Sequence, residues 1–279
     1  MTSGMLFAEE TDAAQLELAV AGGSLVAFTC PAPDKSTGNE DCIAVIPRGA
    51  DSVVLVIADG AGGMPGGRRA SRCALEALEA SIHDPGEDLT ALRTAILNGI
   101  EAANRAVREL GNGSATTMTI VAIEGTEARS YQVGDSEALV VGQRGRIRAQ
   151  TLAHSPTGFA VEAGILDQRA ALHHEERHLV SNFVGSSDMR IEIGPGLVLN
   201  PRDTVLLASD GLMDNVHLHE ITEIIRKGAL PAAAASLAGL ARRRMTVETL
   251  HQPSKPDDLS FILFRKPYRR SKVSGEAAG

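Results

Sequence analysis

The sequence predicts an α+β fold in which two mainly antiparallel sheets stack on one another and helices flank them. Three observations carry that expectation. Two near-continuous apolar runs, Val53-Val54-Leu55-Val56-Ile57-Ala58 and Val205-Leu206-Leu207-Ala208, read as strands covered on both faces. Stretches with apolar residues at helical spacing come in pairs, within 66–110 and 217–247. Strand-like runs lie before, between and after those pairs, so the helices fall where sheet faces need cover.

In chain order, 42–46 and 53–59 are the first core strands. Residues 66–83 place Ala70, Cys73, Ala74, Ala77 and Leu78 on one helical face, and 89–110 does the same with Leu92, Ile96, Ile100, Ala103 and Val107. The runs 117–123, 128–133 and 138–141 follow with short connections, as in an antiparallel meander. Helices are expected again over 217–227 and 232–247, and a strand over 259–264 closes a sheet. The stretch 154–187 is rich in Gly, Pro, His and charge, and is either a flap over a site or a plain surface loop. We divide the chain into an N-terminal segment 1–23, a folded domain 24–266 and a disordered tail 267–279, whose small polar residues cannot build a core.

Length permits one domain or two small ones at 279 residues, and motifs interleaved along the whole chain favour one. The balance of 27 basic against 35 acidic residues, net −8, argues against nucleic acid or an anionic membrane as partner. Residues 1–23 lack a basic segment followed by an apolar stretch, and no run approaches the roughly 20 residues that cross a bilayer, so a cytoplasmic location is expected. Cys30, Cys42 and Cys73 are odd in number and lack metal-type spacing. They read as buried small hydrophobes.

Chemistry concentrates at the strand ends. Both apolar runs hand the chain to an acid and a glycine, Asp59-Gly60 and Asp210-Gly211 after Ser209. One Asp-Gly pair is an ordinary turn signal. Here three more acidic clusters flank strand-like runs: Asn39-Glu40-Asp41, Gly134-Asp135-Ser136 and Asp257-Asp258. If the strands pack together, these carboxylates gather and repel unless a cation lies among them, and an all-oxygen donor set favours Mg²⁺ or Mn²⁺.

In order and spacing, Asn39-Glu40-Asp41, Asp59-Gly60-Ala61-Gly62-Gly63, Gly113-Ser114-Ala115-Thr116, Gly134-Asp135-Ser136, Ser209-Asp210-Gly211-Leu212 and Asp257-Asp258-Leu259-Ser260 resemble the bacterial form of the PPM/PP2C family of metal-dependent serine/threonine phosphatases. The resemblance spans about 35–264. It implies a four-layer α/β/β/α sandwich, with 154–187 as a flap over the active site. It also implies hydrolysis of phosphoserine and phosphothreonine on proteins at a binuclear Mn²⁺ or Mg²⁺ centre, with a third ion in bacterial members. By resemblance Asp59 bridges both metals, the Gly60 carbonyl binds one, and Asp210 and Asp257 complete the other shell. Glu40 and Asp41 hold metal-bound waters, and Asp135 with Asp210 binds the third ion. Asp59 and Asp210 are then the catalytic carboxylates, Gly62-Gly63 permit a close turn, and the partners are a phosphoprotein and a serine/threonine kinase or its targets, met by a monomer. Two cations about 3.5–4 Å apart can bridge and activate one water, so no nucleophilic side chain is needed.

Two positions depart from the family pattern. Ser36 stands where an Arg commonly holds the substrate phosphate; Lys35 beside it offers a point charge in place of a bidentate fork. Ala61 stands where animal members carry a His proposed as general acid, leaving a metal-bound water or His154 for that task. Other phosphate enzymes fit worse: Ala61 denies a second Asp to a haloacid-dehalogenase motif, a receiver domain leaves Asp59 and Asp257 unexplained, and residues 60–67 hold no lysine for a P-loop. The alternative from another class is a phosphatase-like module that has lost turnover and binds a phosphoprotein or regulator.

Overall fold

The computed structural model describes residues 13–61, 66–83, 92–111, 113–250 and 252–267, with the main chain of 4–7. The expected turn at Gly62-Gly63, the start of the helix expected over 89–110, and the tail from 268 onward lie outside the described residues. The chain opens with strands β1 (Gly4–Phe7), β2 (Ala14–Val20), β3 (Gly23–Cys30), β4 (Asp41–Arg48) and β5 (Ser52–Asp59), then helices α1 (Gly67–Ile82) and α2 (Leu92–Glu109). Strands β6 (Met118–Glu124), β7 (Glu127–Val133), β8 (Glu137–Val141) and β9 (Ile147–Gln150) follow. A less regular stretch holds short helices α3 (Pro156–Glu162) and α4 (Gln168–Ala171) and the two-residue strands β10 (Glu192–Ile193) and β11 (Leu197–Val198). The last elements are β12 (Thr204–Ala208), α5 (Asp210–Met213), α6 (Leu218–Ile225), α7 (Leu230–Thr246) and β13 (Leu259–Arg265).

Two sheets result, one ordered β1-β4-β5-β6-β7-β10 with β11 also on β7, the other β2-β3-β13-β12-β8-β9. Strand alternation explains why their sequences are apolar throughout. From β4 and β5, Ala44, Ile46, Val54, Val56 and Ala58 pack beneath α1 and α2 against Leu75, Leu78 and Ile96. Their neighbours Ile43, Val45, Val53, Leu55 and Ile57 turn the other way, onto Leu25, Val205, Leu207, Ile262 and Phe264 of the second sheet. The outer face of that sheet, with Val26, Leu206, Phe261 and Leu263, packs on Ile221, Ile225 and Leu237 of α6 and α7. Four layers, α/β/β/α, follow from this alternation.

Two expectations change. Within the segment 1–23, residues 4–7 and 14–20 belong to the sandwich: β1 pairs with β4, and β2 forms a hairpin with β3, so a boundary at residue 24 cuts through paired strands. Leu16 and Leu18 alternate with Gln15 and Glu17, and their half-buried face packs on the inter-sheet core. The meander also breaks. β6 pairs with β7, but β8 pairs with β12 in the opposite sheet. Gly134, at φ +109°, turns the chain across the seam where an L side chain would be strained and would strike Thr117. The cysteines are unpaired; Cys30 and Cys42 are buried, whereas Cys73 is only half-buried.

Gly211 begins the turn from β12 into α5 so close to β13 that an added Cβ would collide with the Asp258 carbonyl. Gly211→Ala therefore pushes apart the two strand ends that carry Asp210 and Asp257. Chemical denaturation is expected to show a loss of about 2 kcal/mol or more; an unchanged midpoint would mean that this contact relaxes freely.

Candidate metal centre

The acid-bearing strand ends meet at one end of the sandwich. Asp41, opening β4, stands opposite Asp59, closing β5, in antiparallel register. The β12–β13 pair brings Asp210 beside Asp257 and Asp258. Beneath them short polar side chains stitch the two sheets together. Ser209 Oγ donates to Asp41 Oδ2 at 2.9 Å, and Ser209 N to the Ser260 carbonyl at 2.9 Å. Asn39 Nδ2 donates to Thr29 Oγ1 at 2.7 Å, Thr29 Oγ1 lies 2.7 Å from Ser260 Oγ, and Asn39 Oδ1 accepts from Asp41 N at 2.9 Å. All are buried, so this network is fully committed to holding the seam.

Asp59 is fixed through its main chain. Its N–H donates to Thr117 Oγ1 at 3.0 Å, and its carbonyl accepts from Thr116 Oγ1 at 2.7 Å and Thr117 N at 2.8 Å. Gly60 N donates to the Glu40 carbonyl at 3.2 Å, which ties two motifs to each other. Asp135 is set by its neighbours: Gly134 N donates to His154 Nδ1 at 3.1 Å, and Ser136 Oγ meets Thr117 Oγ1 at 3.0 Å. His154 Nδ1 also accepts from Asn182 Nδ2 at 2.9 Å, which leaves its proton on Nε2 facing Glu192 Oε2 at 3.1 Å. This ring, 5% exposed, is engaged at both nitrogens and serves the Asp135 bend; it is not free to act as the acid considered for it above.

Two lysines lie among the carboxylates. Lys35 Nζ donates to Glu40 Oε2 at 2.8 Å and Asp258 Oδ2 at 2.6 Å. Asp258 also accepts from Ala32 N and Glu40 N, and so is a structural acid that pins the 31–40 loop. Lys255 Nζ pairs with Asp210, with Asp214 at 3.0 Å and with Asp257 at 3.2 Å. Asp214 and Lys255 lie outside the acidic clusters legible in the sequence, whereas Asp258 lies inside one of them without an assigned role. Asp214 had a signal, its i+4 spacing from Asp210 on one helical turn. Lys255 had none.

Asp41, Asp59, Asp135, Asp210 and Asp257 act on one another through one field, whereas Glu40 is paired with Lys35. Burial first, then Asp41, Asp210, Asp257 and Asp135, hold the Asp59 carboxyl well above the usual range. Burial and acidic neighbours do the same to Asp41 and Asp135. Burial followed by Asp210 pushes Asp257 up to about 7, and burial lifts Asp214 to about 6 against the pull of Lys255. Asp41 Oδ1 and Asp210 Oδ1 are buried with no hydrogen-bond partner. Hard oxygens, excess negative charge and orphaned carboxylate atoms suit a divalent oxygen-seeking ion. Among the described residues no three His, Cys, Asp or Glu side chains stand grouped as ligands of one ion. Beside the acids a cleft of about 700 Å³, lined by Asp135, Asp214, Arg169, Arg177 and His217 among others, runs under 154–187.

The architecture is that of a four-layer sandwich of two antiparallel sheets whose strand ends gather carboxylates at one seam. The family model of protein phosphatase 2C matches residues 34–246. The chain belongs to that family. Protein phosphatase PhpP of Streptococcus pneumoniae is 29% identical over 201 residues, 68% of this chain and 80% of its own. The S. agalactiae serine/threonine phosphatase shares the fold with a TM-score of 0.74 and 25% identity over 87% of this chain and 99% of its own. The catalytic domain of the phosphatase PstP, solved in complex with two manganese ions, shares it with a TM-score of 0.67 and 24% identity over 88% and 98%.

Raised carboxyl pKa values give a signed expectation. From about pH 4 to 7 the folded, ion-free protein holds protons that the unfolded chain has already released, so stability falls as pH rises through that window. EDTA-treated protein should melt at lower temperature at pH 8 than at pH 5, and saturating Mn²⁺ should remove the decline. A flat or rising melting temperature in EDTA would contradict the shared field.

Proposed function

We propose that the protein hydrolyses phosphoserine and phosphothreonine on proteins as a metal-dependent PP2C-type phosphatase. The observation that carries this reading is the convergence of Asp41, Asp59, Asp135, Asp210 and Asp257 from both sheets on one buried seam. A pure binding module has no use for acids that repel one another in the folded state, which disfavours the turnover-deficient alternative. In the roles assigned by resemblance, Asp59, the Gly60 carbonyl, Asp210 and Asp257 hold two Mn²⁺ or Mg²⁺ ions, Glu40 and Asp41 act through water, and Asp135 with Asp210 are the donors a third ion would use. Two manganese ions are bound by the related PstP domain. When bound, such ions supply an activated water and offset the charge of the phosphoryl oxygens.

The chain's own groups do the rest. The Ser209, Ser260, Thr29 and Asn39 network fixes the distance between the sheets and hence between the acids. Ser36, exposed, offers no guanidinium for the substrate phosphate. Lys35 has three ammonium protons, of which two are taken by Glu40 and Asp258, so one remains for a phosphate oxygen. The physiological setting we infer is a monomer in the cytoplasm acting on phosphoproteins of a serine/threonine kinase; no helix among the described residues is long and apolar enough to cross a membrane.

Turnover of p-nitrophenyl phosphate and phosphothreonine peptide should require Mn²⁺ or Mg²⁺. Asp59→Asn and Asp210→Asn should each abolish it; Asp59→Asn should leave the ion-free melting temperature equal to or above the parent's, since it removes a repelling charge, whereas Asp210→Asn also takes a partner from Lys255. Activity after exhaustive EDTA treatment, or near-parent rates in either variant, would refute the assignment.

Lys35→Ala should raise KM for phosphopeptide several-fold with a smaller change in Mn²⁺ affinity. An unchanged KM would leave Lys35 as a bridge between Glu40 and Asp258 alone.

A further inference from the structure

We propose that the Lys255 ammonium is a tethered cation standing in for the third metal ion, so that the centre holds two ions and one lysine. The inference rests on the metal-centre reading above. Nζ pairs with Asp210 Oδ2, Asp214 Oδ2 and Asp257 Oδ2, and its side chain is 17% exposed. Asp210 and Asp214 sit one helical turn apart. Asp135, on the β7–β8 bend, is acted on by Asp210 and, with opposite sign, by Lys255. The lysine thus stands among Asp210, Asp214 and Asp257, with its charge reaching Asp135, and it takes up Asp210, a donor that a third ion at Asp135 and Asp210 would need. Asp210 divides its two oxygens: Oδ2 goes to Lys255, whereas Oδ1 is buried without a partner, as is Asp41 Oδ1, so both remain open to the two inner ions.

The root of this lysine is clamped. Asn215, fully buried, accepts from Lys255 N through Oδ1 at 2.8 Å and donates to the Lys255 carbonyl through Nδ2 at 2.8 Å. The same Nδ2 donates to the Gly211 carbonyl at 2.9 Å, which fixes the lysine loop to the turn bearing Asp210. On the preceding residue, the Ser254 carbonyl accepts from Arg177 at 2.9 Å, and Pro256 follows directly. A side chain so anchored supplies positive charge in one place without a binding equilibrium. A divalent ion brought to that place would face an ammonium at contact distance, and like charges there repel.

Calorimetric titration of EDTA-stripped full-length protein with MnCl₂ tests this. The parent should take up two ions and Lys255→Met three, with the extra ion lost again in the Lys255→Met, Asp135→Asn double variant. Two ions of parent affinity in Lys255→Met, or three in the parent, would overturn the proposal while leaving the metal centre intact. No uptake by the parent would sink the metal-centre reading and this inference with it. Should Lys255→Met and Lys255→Gln both fail to fold when stripped, anomalous diffraction from manganese-soaked parent crystals decides: a peak between Asp135 and Asp214 refutes the proposal, and Nζ at that position beside two inner peaks supports it.

Discussion

Mutual repulsion of buried carboxylates is the constraint around which the rest of the molecule is arranged. Hydrophobic burial alone would let the sheets slide until the acids separated, because apolar contact is non-directional. The hydroxyl and amide network of Asn39, Thr29, Ser260 and Ser209 removes that freedom. Its members are short side chains at strand ends, each with both donor and acceptor capacity, so a one-residue slip of either sheet would leave several buried polar atoms unpaired. Lys35 and Lys255 then soften the field on opposite flanks, one through Asp258 and Glu40, the other through Asp210, Asp214 and Asp257.

Charge also explains why the main chain, more than the side chains, carries the aim of the acids. Asp59 is gripped through N–H and carbonyl by Thr116 and Thr117, and the Asp135 bend through Gly134 by His154. A carboxylate held by its own oxygens would have fewer lone pairs left for an ion. Asp258, whose oxygens are both engaged by Ala32, Glu40 and Lys35, shows the opposite condition one residue along the chain from Asp257.

What the sequence disclosed follows from how local each signal is. The apolar runs of β5 and β12 and the helical faces of α1 and α2 are written in consecutive residues, and so are the acids that end the strands. Partner choice is not. The short Gly134-Asp135-Ser136 link looks like a hairpin turn in one dimension, yet Gly134 sends β8 to the other sheet, because β12 needed a neighbour and the seam needed Asp135. Half-polar β2 lacks a continuous apolar run because an edge strand buries one face only. Lys255 was illegible because its role depends on Asp210 and Asp214, 45 and 41 positions earlier, and on the Asn215 amide that holds its backbone.

The stretch between His154 and Val184 leaves and re-enters the sandwich almost at one point. Ser181 N bonds the His154 carbonyl, Asn182 bonds the His154 ring, and Val184 exchanges two main-chain bonds with Thr116 beside Gly60. A segment cinched at its own base has few further ties to the body below it, and Arg177, which donates to the Ser254 carbonyl, is the one that reaches the lysine loop. Lengthening it costs little closure entropy, about 0.6 kcal/mol for each doubling, and its outer residues, such as Ile165 at 82% exposure, owe nothing to the core. The outer part of this segment can therefore be exchanged, by evolution or by grafting between the same two stems, with the seam below left in place as long as the Arg177 bond to Ser254 is kept.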